Sequence, residues 1–345
     1  MFLKFYGLRE QPFGVTPDPR FLYLCPSHRE ALASLFYGIE SGCGFLALIA
    51  KPGMGKTTLL FHLLEKFRDN ARTAFLFQTQ CSSREFMRFL LAELGSETDE
   101  QDFVRMHDEF NQLLVQEARA GKRLIIVVDE AQNLDSSVLE TIRLLSDFET
   151  PRVKLLQIIL AGQPQLADKL ASRKLSQLRQ RISLLSGLSP LSIEQSRAYI
   201  DHRLRVAGYS GGPLFDHAAI SVIAQFTEGI PRNINNFCFG ALSLGCALGQ
   251  RVIGLSVVEE VISDLDITKH VTEVASVPPL DYETAAAAGN GNFAPFPPQA
   301  SEPGSTLTPA EARAYMQQLA VQLRDWKRNV DRTELLRHGI RVRHH

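Results

Sequence analysis

A glycine-rich loop between two structured segments constrains this chain more than any other feature of its sequence. Residues 50–58 read AKPGMGKTT, after the apolar run FLALIA (45–50) and before a helical pattern from about Lys56 to Arg68. A P-loop has the pattern G-x-x-x-x-G-K-[S/T] in this strand–loop–helix setting. Ala50 replaces the first glycine at the strand end, away from the phosphates, so we expect this departure to be mild. The loop predicts a site for nucleotide phosphates.

Each part of this loop meets a physical requirement of phosphate binding. The glycines let the backbone turn its N–H groups inward, and the helix N-terminus adds partial positive charge. The Lys56 ammonium is the candidate contact of the β- and γ-phosphates, and the Thr57 hydroxyl is a candidate Mg²⁺ ligand. We therefore expect ATP and Mg²⁺ as ligands. The candidate nucleotide-binding residues are Pro52, Gly53, Met54, Gly55, Lys56, Thr57 and Thr58.

A second motif follows about 70 residues after the loop. The run LIIVVDE (124–130) is an apolar strand that ends in two carboxylates. In a Walker B strand the first carboxylate holds Mg²⁺, and the next polarises the attacking water. Asp129 is therefore the candidate metal ligand and Glu130 the candidate general base. A plain solvated strand end is the alternative, but after a P-loop the pair predicts hydrolysis as well as binding.

Strand and helix patterns alternate through the first half of the chain. The predicted strands span residues 45–50, 73–78, 123–128 and 154–160. This alternation is typical of a three-layer α/β domain with a mainly parallel sheet. After Pro190 the strand pattern stops and only helical patterns follow. These predict a small all-helical lid domain, with helices at residues 192–206, 216–226, 232–248 and 256–266.

The sequence divides into five segments. They are an irregular N-terminal wrap (1–26), the α/β domain (27–189), the lid domain (190–270), a flexible linker (271–308), and an amphipathic helix with a basic tail (309–345). Apolar residues in the last helix recur at heptad spacing, which favours docking onto a partner; docking onto its own chain is the alternative. Three helix starts carry capping-box patterns, Ser27 with Glu30, Ser82 with Glu85, and Ser256 with Glu259.

Composition excludes several classes of protein. The net charge of −1 gives no overall attraction to nucleic acid or an anionic membrane. Five scattered cysteines without a CxxC pair argue against a disulfide framework and against a zinc site. The N-terminus does not read as a signal peptide, and no run reaches the roughly 18 apolar residues of a membrane span. We expect a cytoplasmic protein without a transmembrane segment, whose contact with the inner membrane is made through a partner.

Several sequence blocks, taken together, resemble one family of ATPases. In chain order they are FYGLREQPFGVTPDPRFLYL, SHREALASLFYGI, VVDEAQNL, LAGQPQL, QLRQRI and EGIPRNINNFC. Residues 1 to about 268 are similar to the ExeA-type ATPases of general secretion pathway protein A, and to a related ATPase encoded with exosortase (PEP-CTERM) and exopolysaccharide loci. The resemblance implies an AAA+ fold near the origin-recognition and transposition-helper ATPases. The secretion family continues into a membrane span and a peptidoglycan-binding domain, whereas a linker, one helix and a basic tail follow here, so we expect the exosortase-associated type.

The resemblance also implies roles for further side chains. Gln163 occupies the sensor 1 position, which orients the attacking water; a GQP turn without a catalytic role is the alternative. Arg181 or Arg179 is the candidate arginine finger, which acts on a neighbouring subunit and so implies self-association. Arg232 is the candidate sensor 2 arginine, which contacts the γ-phosphate in cis. Each arginine also fits an ordinary surface charge. Residues 27–39 occupy the segment that helps contact adenine.

These observations favour one function and leave two others open. The leading hypothesis is Mg²⁺-dependent ATP hydrolysis by a motor or switch of a bacterial secretion or exopolysaccharide-export system, whose proteins bind the C-terminal helix. The alternative is a DNA-directed helper ATPase of the transposition type, but nucleic acid is the less favoured partner because no helix-turn-helix is evident and the core is not basic. A nucleotide-gated scaffold with very slow hydrolysis is a third reading, and Glu130 argues against it.

Overall fold

One parallel sheet organises the α/β part of the chain in the computed structural model, which describes residues 2–14, 16–77, 80–96, 102–146 and 154–264. Its strands in these residues are β1 (Phe45–Ile49), β2 (Ala71–Leu76), β3 (Arg123–Val128), β4 (Leu156–Gly162) and β5 (Ile182–Gly187). They are paired in parallel in the order β2-β3-β4-β1-β5. The predicted linker and C-terminal helix (271–345) and the end of the predicted lid domain (265–270) lie outside the described residues.

Helices flank this sheet and then continue beyond it. In the described part of the chain they are α1 (Phe2–Tyr6), α2 (Pro26–Glu40), α3 (Lys56–Lys66), α4 (Ser83–Glu93), α5 (Phe103–Arg119), α6 (Ser136–Leu145), α7 (Pro164–Ala171), α8 (Ser176–Arg181), α9 (Ile193–Val206), α10 (His217–Phe226), α11 (Pro231–Ala247) and α12 (255–264). None of these helices has both the length and the apolar composition needed to cross a membrane.

Both faces of the sheet are buried, and the strand sequences show why. On β3, Leu124 and Ile126 face a core formed with α4 to α8, whereas Ile125 and Val127 face a second core formed with α2 and α3. Successive side chains of a strand point to opposite faces, so a strand between two helical layers must be apolar throughout. The run RLIIVV satisfies this condition. The predicted three-layer α/β fold is confirmed.

Three local expectations are corrected by the structure. The strand β5 is not among the predicted strands, because its residues alternate between half-buried and exposed at the sheet edge and form no long apolar run. The capping box predicted at Ser27 is absent, since α2 begins at Pro26 and its N-cap, Cys25, makes no side-chain capping bond. Proline suits the first helical position because it has no N–H to cap. The Ser82–Glu85 box is present as predicted. The box predicted at Ser256 is absent, because the helix of residues 255–264 begins one residue before Ser256.

The N-terminal segment belongs to the core of the helical part of the chain. Tyr6, Leu8, Phe13 and Phe21 are buried in one cluster with apolar side chains of α9 to α12. The segment then leads into α2, which packs on the sheet in the core that α2 and α3 form with it. Residues 2–25 therefore connect the helical part to the α/β part by packing as well as by covalent continuity.

Arg203 of α9 fixes the N-terminal segment onto this helical core. Its side chain is buried, and its guanidinium donates hydrogen bonds to the carbonyls of Pro12 and Gly14 and to the Tyr199 hydroxyl. The guanidinium carbon also lies 4.8 Å from the centre of the Phe21 ring. A buried charge is tolerated when hydrogen bonds replace its hydration, and Arg203 meets that condition with main-chain and hydroxyl acceptors.

Replacing this guanidinium should destabilise the fold. We expect Arg203→Met to lower the free energy of unfolding by about 2–4 kcal/mol, because two carbonyls and a hydroxyl lose a charged donor. Arg205→Met is the matched control: Arg205 is exposed on the same helix and its Nε donates to the Asp201 carbonyl. Its effect should stay within about 0.5 kcal/mol. Urea unfolding measures both, and equal losses in the two variants would contradict the anchoring role of Arg203.

Candidate functional site

Most of the predicted site residues gather at one edge of the sheet. The strands β3, β4 and β1 are neighbours, and their carboxyl ends lead into Asp129, Gln163 and the loop 50–55 respectively. Ligands of open α/β folds bind outside the carboxyl ends of the strands. A cleft at this edge is lined by residues 52–58, Glu130, Gln163 and Arg232, together with residues of the N-terminal segment and of α9.

The glycine-rich loop is shaped by two left-handed glycines and by the helix α11. Gly53 and Gly55 have φ values of 79° and 85°, a region that glycine enters without steric cost. The Arg232 N–H donates to the Gly53 carbonyl at 3.1 Å, and a Cβ on Gly53 would lie 2.7 Å from the Arg232 Cβ. The conformation of the loop is therefore tied to the position of α11.

Helix α2 holds the loop from another direction. The His28 Nε2 donates to the Met54 carbonyl at 3.0 Å, and its Nδ1 lies 2.9 Å from the Cys25 sulfur. Burial raises the pKa of Cys25, but hydrogen bonds with His28 and Ser27 outweigh it and lower the pKa to about 7. Sequence reasoning missed His28 as a loop contact, since nothing in its spacing connects residue 28 to residue 54.

Lys56 lies at the centre of the site. It is 5% exposed, and its Nζ donates to the Ala50 carbonyl at 3.4 Å and stands 3.9 Å from the Glu130 Oε1. A buried ammonium beside a glycine-rich turn at a helix N-terminus suits an anionic ligand. The residues present therefore fit the phosphates of a nucleotide.

Thr57 and Asp129 form the candidate metal site. The Thr57 hydroxyl donates to the Asp129 Oδ2 at 2.5 Å, and the Glu130 N–H donates to the Asp129 Oδ1 at 2.9 Å. Burial raises the pKa of Asp129, although these two hydrogen bonds oppose the change. A divalent cation would offset the cost of burying this carboxylate charge, and hydroxyl and carboxylate oxygens are ligands that Mg²⁺ accepts. The pair therefore fits Mg²⁺.

Glu130 is held by two amides. Its backbone is left-handed, with φ of 51°, and its Oε2 accepts hydrogen bonds from Gln132 Nε2 at 2.6 Å and Gln163 Nε2 at 3.0 Å. Gln163 therefore lies beside the candidate base. Sequence reasoning missed Gln132, although the run DEAQ places an amide two residues after Glu130.

The three candidate arginines lie in different places. The Arg232 side chain lines the cleft. Arg181 instead donates to the Arg143 carbonyl and to the Ser146 hydroxyl, and exposed Arg179 is 3.5 Å from the Ala171 carbonyl. The structure brings the loop, Asp129, Glu130, Gln163 and Arg232 together, whereas the finger candidates on α8 do not line the cleft of their own chain.

Comparison with known proteins finds one matching domain family and one related secretion protein. Residues 39–170 match the family described as AAA domain. The chain is 38% identical over 254 residues to general secretion pathway protein A of Aeromonas hydrophila, an alignment that covers 73% of this chain and 46% of that protein. The chain therefore carries an AAA domain. The predicted resemblance to general secretion pathway protein A is confirmed, whereas the exosortase-associated type stays a prediction. The chain spans about half the length of the secretion protein.

Solved structures agree on the fold of this chain. The ORC2 protein of Aeropyrum pernix, in its ADPNP–ADP complexes, matches with a TM-score of 0.58 and 16% identity over 74% of this chain and 71% of that chain. The Drosophila ORC bound to DNA matches with a TM-score of 0.60 and 16% identity over 80% and 69%. Identities this low show the fold alone.

The metal site makes a prediction about Thr57. Thr57→Val keeps the shape of the side chain and removes the hydroxyl, so we expect ATP affinity in Mg²⁺ to fall about tenfold, or ~1.4 kcal/mol. Affinity in EDTA should change little, because only the metal contact is lost. Thr73→Val, on the half-buried side of β2, is the control and should bind normally in both buffers. Calorimetric titration measures both; an equal loss with and without Mg²⁺ would count against the assignment of Thr57.

Proposed function

We propose that this AAA+ ATPase hydrolyses ATP with Mg²⁺ and acts as a motor or switch for a bacterial secretion or exopolysaccharide-export system. The observation that carries the hydrolysis is the convergence of four side chains from two strand ends. Lys56 and Thr57 follow β1, Asp129 and Glu130 follow β3, and the two pairs meet through the Thr57–Asp129 hydrogen bond and the Lys56–Glu130 approach.

The loop and α3 bind the phosphates. Backbone N–H groups of residues 53–57 and the N-terminus of α3 supply partial positive charge, and the Lys56 ammonium supplies a full charge for the β- and γ-phosphates. Mg²⁺, when bound by Thr57 and Asp129, neutralises charge on the phosphate oxygens. The lid contributes Arg232 from α11, which contacts the γ-phosphate in cis and links the position of the lid to the nucleotide.

Glu130 accepts the proton of the attacking water. As the water oxygen bonds to the γ-phosphorus, the bond from that phosphorus to the leaving β-phosphate oxygen breaks, and the proton passes to the carboxylate. Gln163, hydrogen-bonded to Glu130, lies where a second polar group orients the same water. Glu130 is 39% exposed on its side chain, so water reaches it.

Two substitutions separate nucleotide binding from turnover. Lys56→Ala should abolish ATP binding or nearly so, because the phosphates lose the buried ammonium of the loop. Glu130→Gln should keep ATP bound while turnover falls about 10²-fold or more, the usual scale for loss of a general base. Fluorescent-nucleotide titration and phosphate release measure the two steps. Wild-type turnover in Glu130→Gln would refute the role of Glu130.

The secretion role is supported by the 38% identity to general secretion pathway protein A. The proposal places the ATPase domain on the cytoplasmic side, with contact to the inner membrane made through a partner protein. We propose the exosortase-associated type within this family and assign partner docking to residues 309–345. These residues lie outside the described structure, so this assignment depends on their sequence pattern.

Self-association is the second part of the proposal. Arg179 and Arg181 lie on α8, and neither lines the cleft of its own chain. An arginine finger contacts the nucleotide of a neighbouring subunit, so this location suits such a residue. Arg181 forms hydrogen bonds within its own chain, and these must break before it can reach a neighbour.

A finger in trans makes hydrolysis depend on assembly. Specific activity should rise with protein concentration, and Arg181→Ala should lose roughly 10³-fold in rate. Mixing Arg181→Ala with Lys56→Ala should restore part of the activity, because the second protein supplies the arginine that the first lacks. The same test applies to Arg179→Ala, and Arg173→Ala, exposed just before α8, is the control. Activity per subunit that stays constant over a wide concentration range argues against the finger.

A further inference from the structure

The turn after β3 holds Glu130 in a conformation that its backbone does not favour by itself. Glu130 has φ of 51° and ψ of 37°, and the residues after it form a short 3₁₀ turn, Ala131–Asn133. Left-handed backbone is costly for a residue with a side chain and persists where surrounding contacts over-determine it. The contacts of this turn therefore decide the direction of the Glu130 carboxylate.

Gln132 supplies the first of these contacts and uses both ends of its amide. Its Nε2 donates to the Glu130 Oε2 at 2.6 Å, and its Oε1 accepts from the Gln163 N–H at 3.0 Å. A reversed amide would place its NH₂ against the Gln163 N–H and its oxygen against a carboxylate, so one orientation alone satisfies both partners. Gln132 thus bridges the end of β3 to the start of α7.

Lys169 fixes the turn that carries Gln132. Its Nζ, on α7, donates to the main-chain carbonyls of Gln132 at 2.6 Å and Leu134 at 2.8 Å. Two hydrogen bonds from one ammonium to alternate carbonyls hold the backbone of the turn against α7. The main chain that carries the Gln132 side chain is therefore held in place.

Because Gly162 has no side chain, the Gln132 amide can occupy the space beside it. A Cβ added to Gly162, the last residue of β4, would lie 2.7 Å from the Gln132 Oε1 and 2.8 Å from the Leu166 Cδ2. The amide oxygen is the end of a flexible side chain and would be displaced by such a group. The absence of a side chain at residue 162 is thus coupled to the position of Gln132.

The two oxygens of Glu130 consequently have different environments. Oε2 accepts both amide donors, whereas Oε1 stands 3.9 Å from the Lys56 Nζ on the side of the loop. We propose that Gln132 is a positioning residue, which holds Oε2 so that Oε1 faces the phosphate side of the cleft and takes the proton of water. This inference deepens the proposed hydrolysis and rests on it.

The test separates positioning from binding. Gln132→Met keeps the length of the side chain and removes both hydrogen bonds; we expect kcat to fall about 10- to 100-fold, as a misplaced catalytic group does, while KM and ATP affinity change less than about threefold. Gln157→Met is the matched control, because Gln157 is a buried glutamine on β4 that donates to the Lys154 carbonyl. Gly162→Ala is a second variant, which keeps Gln132 and displaces its amide. It should also lower kcat while leaving KM and ATP affinity nearly unchanged.

A double-mutant cycle with Glu130 excludes a purely structural effect. In the Glu130→Gln background, adding Gln132→Met should leave the single-turnover rate nearly unchanged, since the carboxylate to be positioned is gone. Unchanged kcat in both Gln132→Met and Gly162→Ala overturns the inference, as does an undiminished effect in the Glu130→Gln background. In either case wild-type activity well above that of Lys56→Ala leaves the proposed function standing. A wild-type rate equal to that of Lys56→Ala overturns both.

Discussion

The parallel pairing of β4 with β3 on one side and β1 on the other is the constraint on which the site depends. In this register Val128 pairs with Leu160, and Ile49 pairs with Gly162. β1 therefore ends level with β4, and β3 ends two residues earlier, so the residues that follow the three strands meet at one edge of the sheet. A slip of one residue would turn every apolar side chain of a strand to the wrong face, so the two buried cores fix the register that the chemistry needs.

The phosphate loop is held from several directions. The His28 side chain of α2 bonds to the Met54 carbonyl, while the Arg232 N–H of α11 bonds to the adjacent Gly53 carbonyl. The N-terminal segment joins the same two regions, because it packs in the helical core, is anchored by Arg203, and continues into α2. A ligand at the loop therefore touches a surface whose shape depends on both parts of the described fold.

Local patterns were sufficient to predict the central part of the site. The loop and the strand ending in Asp129 and Glu130 place their functional groups within a few residues of a strand end, so sequence spacing alone determines their location. His28 and Lys169 escaped prediction because their partners lie 26 and 37 positions away and are main-chain carbonyls, which leave no trace in side-chain patterns. The edge strand β5 escaped because it has only one strand neighbour and a half-exposed face. The false capping box at Ser27 shows that a local pattern fails when Pro26 offers a better helix start.

The segment 163–181 connects groups that the proposed mechanism uses separately. It begins with Gln163 beside Glu130, carries Lys169 on the turn of Gln132, and ends on α8 with Arg179 and Arg181. A force applied to α8 by a neighbouring subunit would act on α7, since Leu170 of α7 and Leu178 of α8 belong to one buried cluster. A shift of α7 cannot leave both Lys169 hydrogen bonds at their present lengths, because their acceptors belong to the turn after β3. Residues 163–181 thus contact the candidate base Glu130 at one end and carry the candidate finger arginines at the other. A change in the position of α8 would therefore change the orientation of the Glu130 carboxylate.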